Sequence, residues 1–290
     1  MERSVLEILQ MIEPATFRYL EIDLGNTCCK WRLRELQVAS LQRHRKEKIT
    51  SRGSALTTTL SASESEPEPF VVRGHDTPAK PVSAAILEMF TGILASKISR
   101  VSICSVASKA LNTQLQCAIE TLWGLQPVFF EVQTECAGLV NSYIDPQKMG
   151  ADRWLASIAA NHLYPGVELC VADCGTAINI EYLSAESVHC GGYIVPGLQL
   201  MQSALLANTA QIHSATGHGR LGKGLDTASN VQNGSLYLVI ALLEKLQREM
   251  ADVGGLLIVT GGSSALLEPY FKQPNLVFSN ELVLEGFKFL

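Results

Sequence analysis

Tyr19-Leu-Glu-Ile-Asp-Leu-Gly-Asn-Thr-Cys-Cys-Lys-Trp-Arg-Leu33 is echoed by Leu169-Cys-Val-Ala-Asp-Cys-Gly-Thr-Ala-Ile-Asn-Ile-Glu-Tyr-Leu183. Each stretch is an apolar run, an Asp-x-Gly, a small polar residue and a second run. The aspartates lie 150 positions apart, and Leu33 meets Leu183 at the same offset. An internal repeat constrains architecture before any single motif does. Two copies imply two lobes, each opening on a strand, a tight Asp-Gly turn and a returning strand.

That unit suits phosphate chemistry. An aspartate at a strand end offers a hard oxygen ligand to Mg²⁺ or an alkali cation. Glycine lets the backbone approach a phosphate, and neighbouring hydroxyls and amides add donors. Asp23, Gly25, Asn26 and Thr27 form the first such group, and Asp173, Gly175 and Thr176 the second. Lys30 adds a cationic point charge for a transferring phosphoryl group. A single Asp-Gly hairpin is common in β structure. The second copy, followed by Gly261-Gly262 after an apolar run, favours a phosphate-handling protein.

Composition narrows the class. The chain has 290 residues, 47% hydrophobic and 18% charged, with a net charge of −5. That is enough to bury a core in one large domain or two lobes. A mildly acidic chain is a poor match for nucleic acid, whose phosphates demand a basic face. No apolar run reaches membrane-spanning length, and Met1 to Phe17 lacks a signal-peptide core. Eight cysteines without paired Cys-x-x-Cys spacing read as reduced, largely buried thiols of a cytoplasmic protein.

Between the repeats, Leu41 to Pro81 turns polar. It includes Arg43-His-Arg-Lys-Glu-Lys48 and the acidic Ser61-Ala-Ser-Glu-Ser-Glu-Pro-Glu-Pro69. Residues 36–81 are therefore expected to be an exposed insertion or loop. Helical spacing over 82–98, a strand at 101–106, a helix at 111–123 and a strand at 128–132 indicate α/β. Asn141-Ser-Tyr-Ile-Asp-Pro-Gln-Lys-Met-Gly-Ala-Asp-Arg-Trp-Leu155 places Asp152 in the first turn of a helix, where the helix dipole favours a carboxylate. By itself that position is also ordinary for a helix-start residue. Gly191 to Gly197 is a glycine-punctuated strand entering a helix at 198–206. Gly217-His-Gly-Arg-Leu-Gly-Lys-Gly224 nearly spells a P-loop, but Gly224 stands where Ser or Thr is needed and no strand precedes it. The P-loop reading is rejected. Asp226 is expected to cap a long helix to Leu246. Leu256 to Ser264 reads as a buried strand into a Gly-Gly turn at a helix start, a place for a nucleotide's sugar and phosphates.

Taken in order, these pieces resemble the type III pantothenate kinases, of the acetate and sugar kinase, Hsp70 and actin superfamily, from about Tyr19 to the C-terminus. Asp23 to Thr27 and Asp173 to Ala177 are similar to the family's two phosphate motifs. Asn141-x-Tyr143 with Gly150-Ala151-Asp152-Arg153 resembles its most distinctive segment. The resemblance implies a two-lobed, actin-like (ribonuclease H-like) duplicated α/β fold with an interlobe cleft. Its lobes would span 19–145 and 146–290, after an N-terminal extension at 1–18. It implies ATP-dependent phosphorylation of pantothenate to 4′-phosphopantothenate, with Asp152 as catalytic base. Asp23, Gly25, Asn26, Thr27, Lys30, Gly175, Thr176, Gly261 and Gly262 would meet ATP. Tyr143, Gly150, Ala151, Asp152, Arg153 and Thr209 would meet pantothenate. Mg²⁺ would come with ATP beside Asp23, and K⁺ or NH₄⁺ would bind Asp173. The resemblance also implies a homodimer. Ile178 and Asn179 stand where the family has threonines, and Glu181 where it commonly has Asp, which puts the cation site in question. Two rivals share the fold: a kinase of another small molecule, and a non-enzymatic accessory or regulatory factor.

Overall fold

The computed structural model describes residues 15–38, 45–56, 84–208 and 217–290. It divides into two compact units, one ending at Glu131 and the other starting at Val132.

In the first unit, β1 (Ala15–Leu24) pairs antiparallel with β2 (Cys28–Val38), and β2 with β3 (Arg45–Leu56). Parallel to β1 run β4 (Arg100–Ser105) and then β5 (Val128–Phe129), giving the order β3-β2-β1-β4-β5. Strand alternation explains the burial. Leu20, Ile22 and Leu24 of β1 and Cys29, Trp31 and Leu33 of β2 form one core with Ile86, Phe90, Leu111, Leu115 and Ile119. Those last residues come from α1 (Ala84–Met89), the turn after it, and α2 (Lys109–Trp123). Ser108 caps α2 through its side chain, and Gly124 closes the helix in the left-handed region, as a helix C-terminus favours. The opposite face of the sheet carries Tyr19, Glu21 and Asp23 abreast of Arg34, Arg32 and Lys30.

The expected loop at 36–81 is corrected in part. Residues 45–56 are an edge strand paired with β2 along its length. Its charges (Glu47, Lys48, Arg52) made the segment look unstructured, yet such residues suit the unpaired side of a sheet edge. Residues 36–38 complete β2, and the rest of that expectation, 39–44 and 57–81, lies outside the described residues. So does most of the expected 1–18 extension, and β1 begins at Ala15 rather than Tyr19.

The second unit repeats the sheet. β8 (Leu169–Cys174), β9 (Ala177–Leu183) and β10 (His189–Pro196) are antiparallel neighbours, and β11 (Leu256–Thr260) and β12 (Leu276–Phe278) extend the sheet in parallel. The order β10-β9-β8-β11-β12 copies the first unit strand for strand. A short hairpin, β6 (Glu135–Cys136) and β7 (Leu139–Val140), precedes α3 (Ala151–Leu163). Hydrogen bonds from Asn141 N to Thr134 O (2.8 Å) and from Gln147 Nε2 to Val132 O (2.9 Å) tie residues 132–147 together within this unit. The division therefore falls earlier than the expected 145/146 boundary.

One face of the second sheet packs on α4 (Leu198–Asn208) and α5 (Thr227–Asp252), with Ile178, Ile180, Leu236, Leu243 and Val259 in its core. Asp226 caps α5 by accepting from Ser229 N at 2.9 Å, as expected, although the helix runs beyond Leu246. Against the other face lies α3, buried continuously from Arg153 to Asn161. A helix buried all round is held by its whole circumference, so Asp152 and Arg153 at its start are fixed in position. α6 (Ser264–Leu267) and α7 (Leu282–Gly286) complete the unit.

Candidate functional site

The two Asp-Gly turns are alike but not identical. In the first, Leu24 pairs with Cys29, and Gly25 N donates to Cys28 O at 3.0 Å. In the second, Cys174 pairs with Ile178, and Gly175 N donates to Ala177 O at 3.0 Å. The second turn is one residue shorter, so the constant offset read from the sequence breaks at the turn. Leu33 faces Leu20, whereas Leu183 faces Leu169. By register, Lys30 corresponds to Asn179 and Arg32 to Glu181.

That shift decides what stands beside each aspartate. Lys30 and Cys104 lie abreast of Asp23, and Asn179 and Thr260 lie abreast of Asp173. Ile178, the first of the departures noted above, belongs to the core on the other face and never faces Asp173. An ammonium beside Asp23 and neutral oxygen-bearing side chains beside Asp173 give the two turns different electrostatics. The second set, one carboxylate with amide and hydroxyl oxygens, suits a large, weakly hydrated monovalent cation.

Around Asp173 the backbone is drawn in tightly. Gly261 has φ 93°, and a Cβ there would stand 2.3 Å from Asp173 Oδ1. Gly197 N donates to Thr176 O at 2.9 Å, and Ser263 N to Cys174 O at 2.9 Å. A Cβ at Gly197 would fall 2.2 Å from Gly175 O. Asp173 to Thr176, Gly197 and the Gly261-Gly262 turn are thereby brought together. Thr176 and Gly262 are exposed at the tips, as are Asn26 and Thr27 in the first unit. The helix after Gly262 is a single turn, so its dipole contributes little, and the turn's exposed backbone is what it offers a phosphate.

Tyr143, Gly150, Ala151, Asp152 and Arg153 gather at the start of α3. Asp152 Oδ1 accepts from Arg153 N at 2.8 Å. Burial raises the Asp152 carboxyl above its ordinary range, against the pull of the Arg153 amide and guanidinium. Arg153 donates through Nε to Glu181 Oε1 at 2.5 Å and through Nη1 to the Tyr143 hydroxyl at 2.9 Å. His189 Nε2 sits 2.8 Å from Glu181 Oε2, and its Nδ1 3.2 Å from Ser142 Oγ. Glu181, His189 and Ser142 were not among the residues the sequence singled out as a site. Glu181 had entered only as a departure at the cation motif, and a carboxylate on the same face of β9 as Asn179 was the further signal that could have marked it. Thr209 lies outside the described residues.

The near P-loop is not an open phosphate cradle. Gln202 bonds both the N and O of Gly217, at 3.1 and 2.9 Å. Asn233 Oδ1 accepts from Arg220 N at 2.9 Å, and its Nδ2 donates to Gly222 O at 3.0 Å. All eight cysteines are free, four of them buried and Cys190 exposed. Among the described residues no three His, Cys, Asp or Glu side chains are grouped to hold a metal, and no helix is long and apolar enough to cross a membrane.

The family model described as type III pantothenate kinase matches residues 19–249. A type III pantothenate kinase of Hahella chejuensis is 36% identical over 194 residues, 65% of this chain and 77% of that protein. One from Alcanivorax borkumensis is 27% identical over 270 residues, 92% of this chain and 96% of its own. One from Pseudomonas aeruginosa is 29% identical over 271 residues, 89% of this chain and 95% of its own. Two sheets of the same strand order, each opening on an Asp-Gly turn, define a duplicated, actin-like α/β protein. Within that class, the chain belongs to the type III pantothenate kinase family.

Proposed function

We propose that this chain is an ATP-dependent pantothenate kinase, transferring the γ-phosphoryl group to the primary hydroxyl of pantothenate to form 4′-phosphopantothenate, the entry to coenzyme A. The observation that carries this reading is Asp152, half-buried at the start of α3 with a raised carboxyl and flanked by the Arg153–Tyr143 pair. A base near its working pH accepts a proton most effectively, and burial moves an aspartate in that direction. Asp152 orients the attacking hydroxyl and takes its proton as the oxygen bonds to phosphorus and the bond to ADP breaks. Phosphoryl transfer depends on positioning and charge neutralisation more than on strong basicity. In the first unit, Lys30, Asn26 and Thr27 offer a positive charge with hydroxyl and backbone donors of the kind phosphates need, and in the second unit Thr176 and Gly262 offer donors of the same kind. Arg153 and the Tyr143 hydroxyl are suited to the acceptor's carboxylate.

Mg²⁺ arriving with ATP would be held beside Asp23, where it neutralises phosphate charge. K⁺ or NH₄⁺ would be held by Asp173 with the oxygens of Asn179 and Thr260. The protein acts in the cytoplasm as a homodimer. Exposed Tyr193, Ile194, Leu200, Leu205, Tyr237 and Leu238 of the second unit support an apolar subunit contact. The test is coupled ADP release from MgATP in K⁺ buffer, with and without pantothenate. Release that requires pantothenate is expected. No release, or release indifferent to pantothenate, sinks the reading.

A further inference from the structure

The polar chain behind Arg153 has a definite sense. Glu181, His189 and Arg153 are 2%, 0% and 7% exposed, so each polar atom there must be satisfied within the protein. An ionised carboxylate only accepts, so both oxygens of Glu181 must receive protons: Oε1 from Arg153 Nε, Oε2 from His189 Nε2. On the far side of the ring, His189 Nδ1 meets Ser142 Oγ. At the other end Arg153 Nη1 donates to the Tyr143 oxygen. That oxygen is thus used as an acceptor, and the tyrosine's own proton is directed to another partner.

Aromatic contacts brace the chain. The Tyr143 ring lies 5.8 Å from His189 and beneath the Arg153 guanidinium at 5.4 Å. Trp154 meets His189 edge-on at 6.4 Å. Tyr143 N is pinned by Asn141 Oδ1 at 2.9 Å, fixing the backbone from which the ring projects.

We propose that Glu181 is a positioning residue for acceptor selection: by clasping Arg153 and His189 it makes Tyr143 an obligate donor, so that the site favours an acceptor substrate bearing a carboxylate there. The inference rests on the kinase reading above and deepens it. Glu181 need not touch substrate. Without its charge, Arg153 is released from one fixed direction, and the Tyr143 hydroxyl is no longer committed to donating outward. A merely structural buried pair would affect all acceptors alike.

The test compares two acceptors, pantothenate and pantothenyl alcohol, in which a hydroxymethyl group replaces the carboxylate. In Glu181→Gln the preference for pantothenate, as a ratio of kcat/KM values, is expected to fall about ten- to a hundredfold, the scale of a hydrogen bond to a charged group. The loss should lie mainly in the KM for pantothenate, with the KM for ATP within about twofold. Should Glu181→Gln fail to fold, Tyr143→Phe removes the terminal donor from a half-exposed position and should lower the same ratio. Parallel losses on both acceptors, or an unchanged ratio, overturn the proposal. The hydrogen-bond sense is read separately in the substrate-free protein from the ¹⁵N shifts of His189. A proton on Nε2 is expected, and a neutral Nδ1–H tautomer overturns the chain. Wild-type protein that phosphorylates neither acceptor sinks the kinase reading, whereas the tautomer tests the network on its own terms.

Discussion

Arg32 and Glu21 face each other directly across β2 and β1, Nε to Oε2 at 2.6 Å, with both side chains shut off from solvent. Arg34 Nη2 reaches the other oxygen of the same carboxylate at 2.6 Å and stacks over Tyr19. In the second unit, the position of Arg32 is taken by Glu181, also buried, and like Glu21 bound to two partners. The duplicated hairpins thus keep a buried charge at one address while reversing its sign.

Removing one member of such a pair leaves a buried charge without its counterpart, at a cost of about 3–5 kcal/mol. Glu21→Gln is therefore expected to lose that much unfolding free energy in urea. Arg18→Ala, which breaks the half-exposed Arg18–Glu35 pair, should lose no more than about 1 kcal/mol. Equal effects of the two substitutions would mean that burial is not what makes the Glu21 pair matter.

Lys223 is expected to be irrelevant to phosphate binding. Backbone groups of the surrounding loop at Gly217, Arg220 and Gly222 are engaged by Gln202 and Asn233. Lys223→Ala should leave the KM for ATP within about threefold of wild type, in keeping with the loss of an exposed charge. A collapse of ATP use in a folded Lys223→Ala protein would restore the P-loop reading. Asn233→Ala, by contrast, should lower stability by about 1–3 kcal/mol, because it removes two hydrogen bonds that the buried Asn233 amide makes to the loop at Arg220 and Gly222.

Asp173 is expected to support activation by K⁺ or NH₄⁺. The case rests on the oxygens abreast of it, from Asn179 and Thr260, and on the close approach of Gly261. Initial rates in Tris buffer with MgATP should rise when K⁺ replaces a bulky organic cation, and Asp173→Asn should blunt that rise with circular dichroism unchanged. Gly261→Ala should disturb the same site twice over, through its positive φ and its contact with the carboxylate. Rates indifferent to K⁺ in the wild-type enzyme would make Asp173 a phosphate-turn or structural carboxylate.

The repeated turns were legible because Asp-x-Gly between apolar runs carries both a strand period and a turn chemistry. Their register was not. Turn length decides which side chains come abreast, so one fewer residue between Cys174 and Ile178 moved Glu181 opposite Val171 and put Asn179 beside Asp173. The same shift leaves Ile178 in the core, although the family resemblance had set it among the departures bearing on the cation site. Strand β3 was missed because an edge strand tolerates the charges that mark loops. The helix start at Asp152 was legible from the turn before it and the apolar spacing after it, while the role proposed for Asp152 came from the family resemblance. The Glu181–His189 support behind Arg153 was not legible. Its members are remote in sequence and meet only when α3 packs on β9 and β10.

Asp152 itself gives the sharpest contrast between stability and function. Burial is the largest influence on its carboxyl and holds it above the ordinary value of 3.8, outweighing the favourable Arg153 contacts. The folded protein therefore binds this proton more tightly than the unfolded chain does. The resulting stability is fully present at pH below the unfolded value and is lost as pH rises through the folded one. Ionised, as a base must be, the buried carboxylate is a destabilising group. Asp152→Asn should then have a melting temperature at pH 7 equal to or above wild type, an advantage that shrinks as pH is lowered. Turnover should fall by about 10²–10⁴-fold, the scale of a positioned general base. In the wild type, kcat/KM should decline on the acid side at a pH above that of an ordinary aspartate, since protonation disables the base. Thermal melts and pH–rate profiles of the two proteins check both halves. Near-native turnover in Asp152→Asn, or a lower melting temperature at pH 7, would return Asp152 to the rank of a helix-start residue.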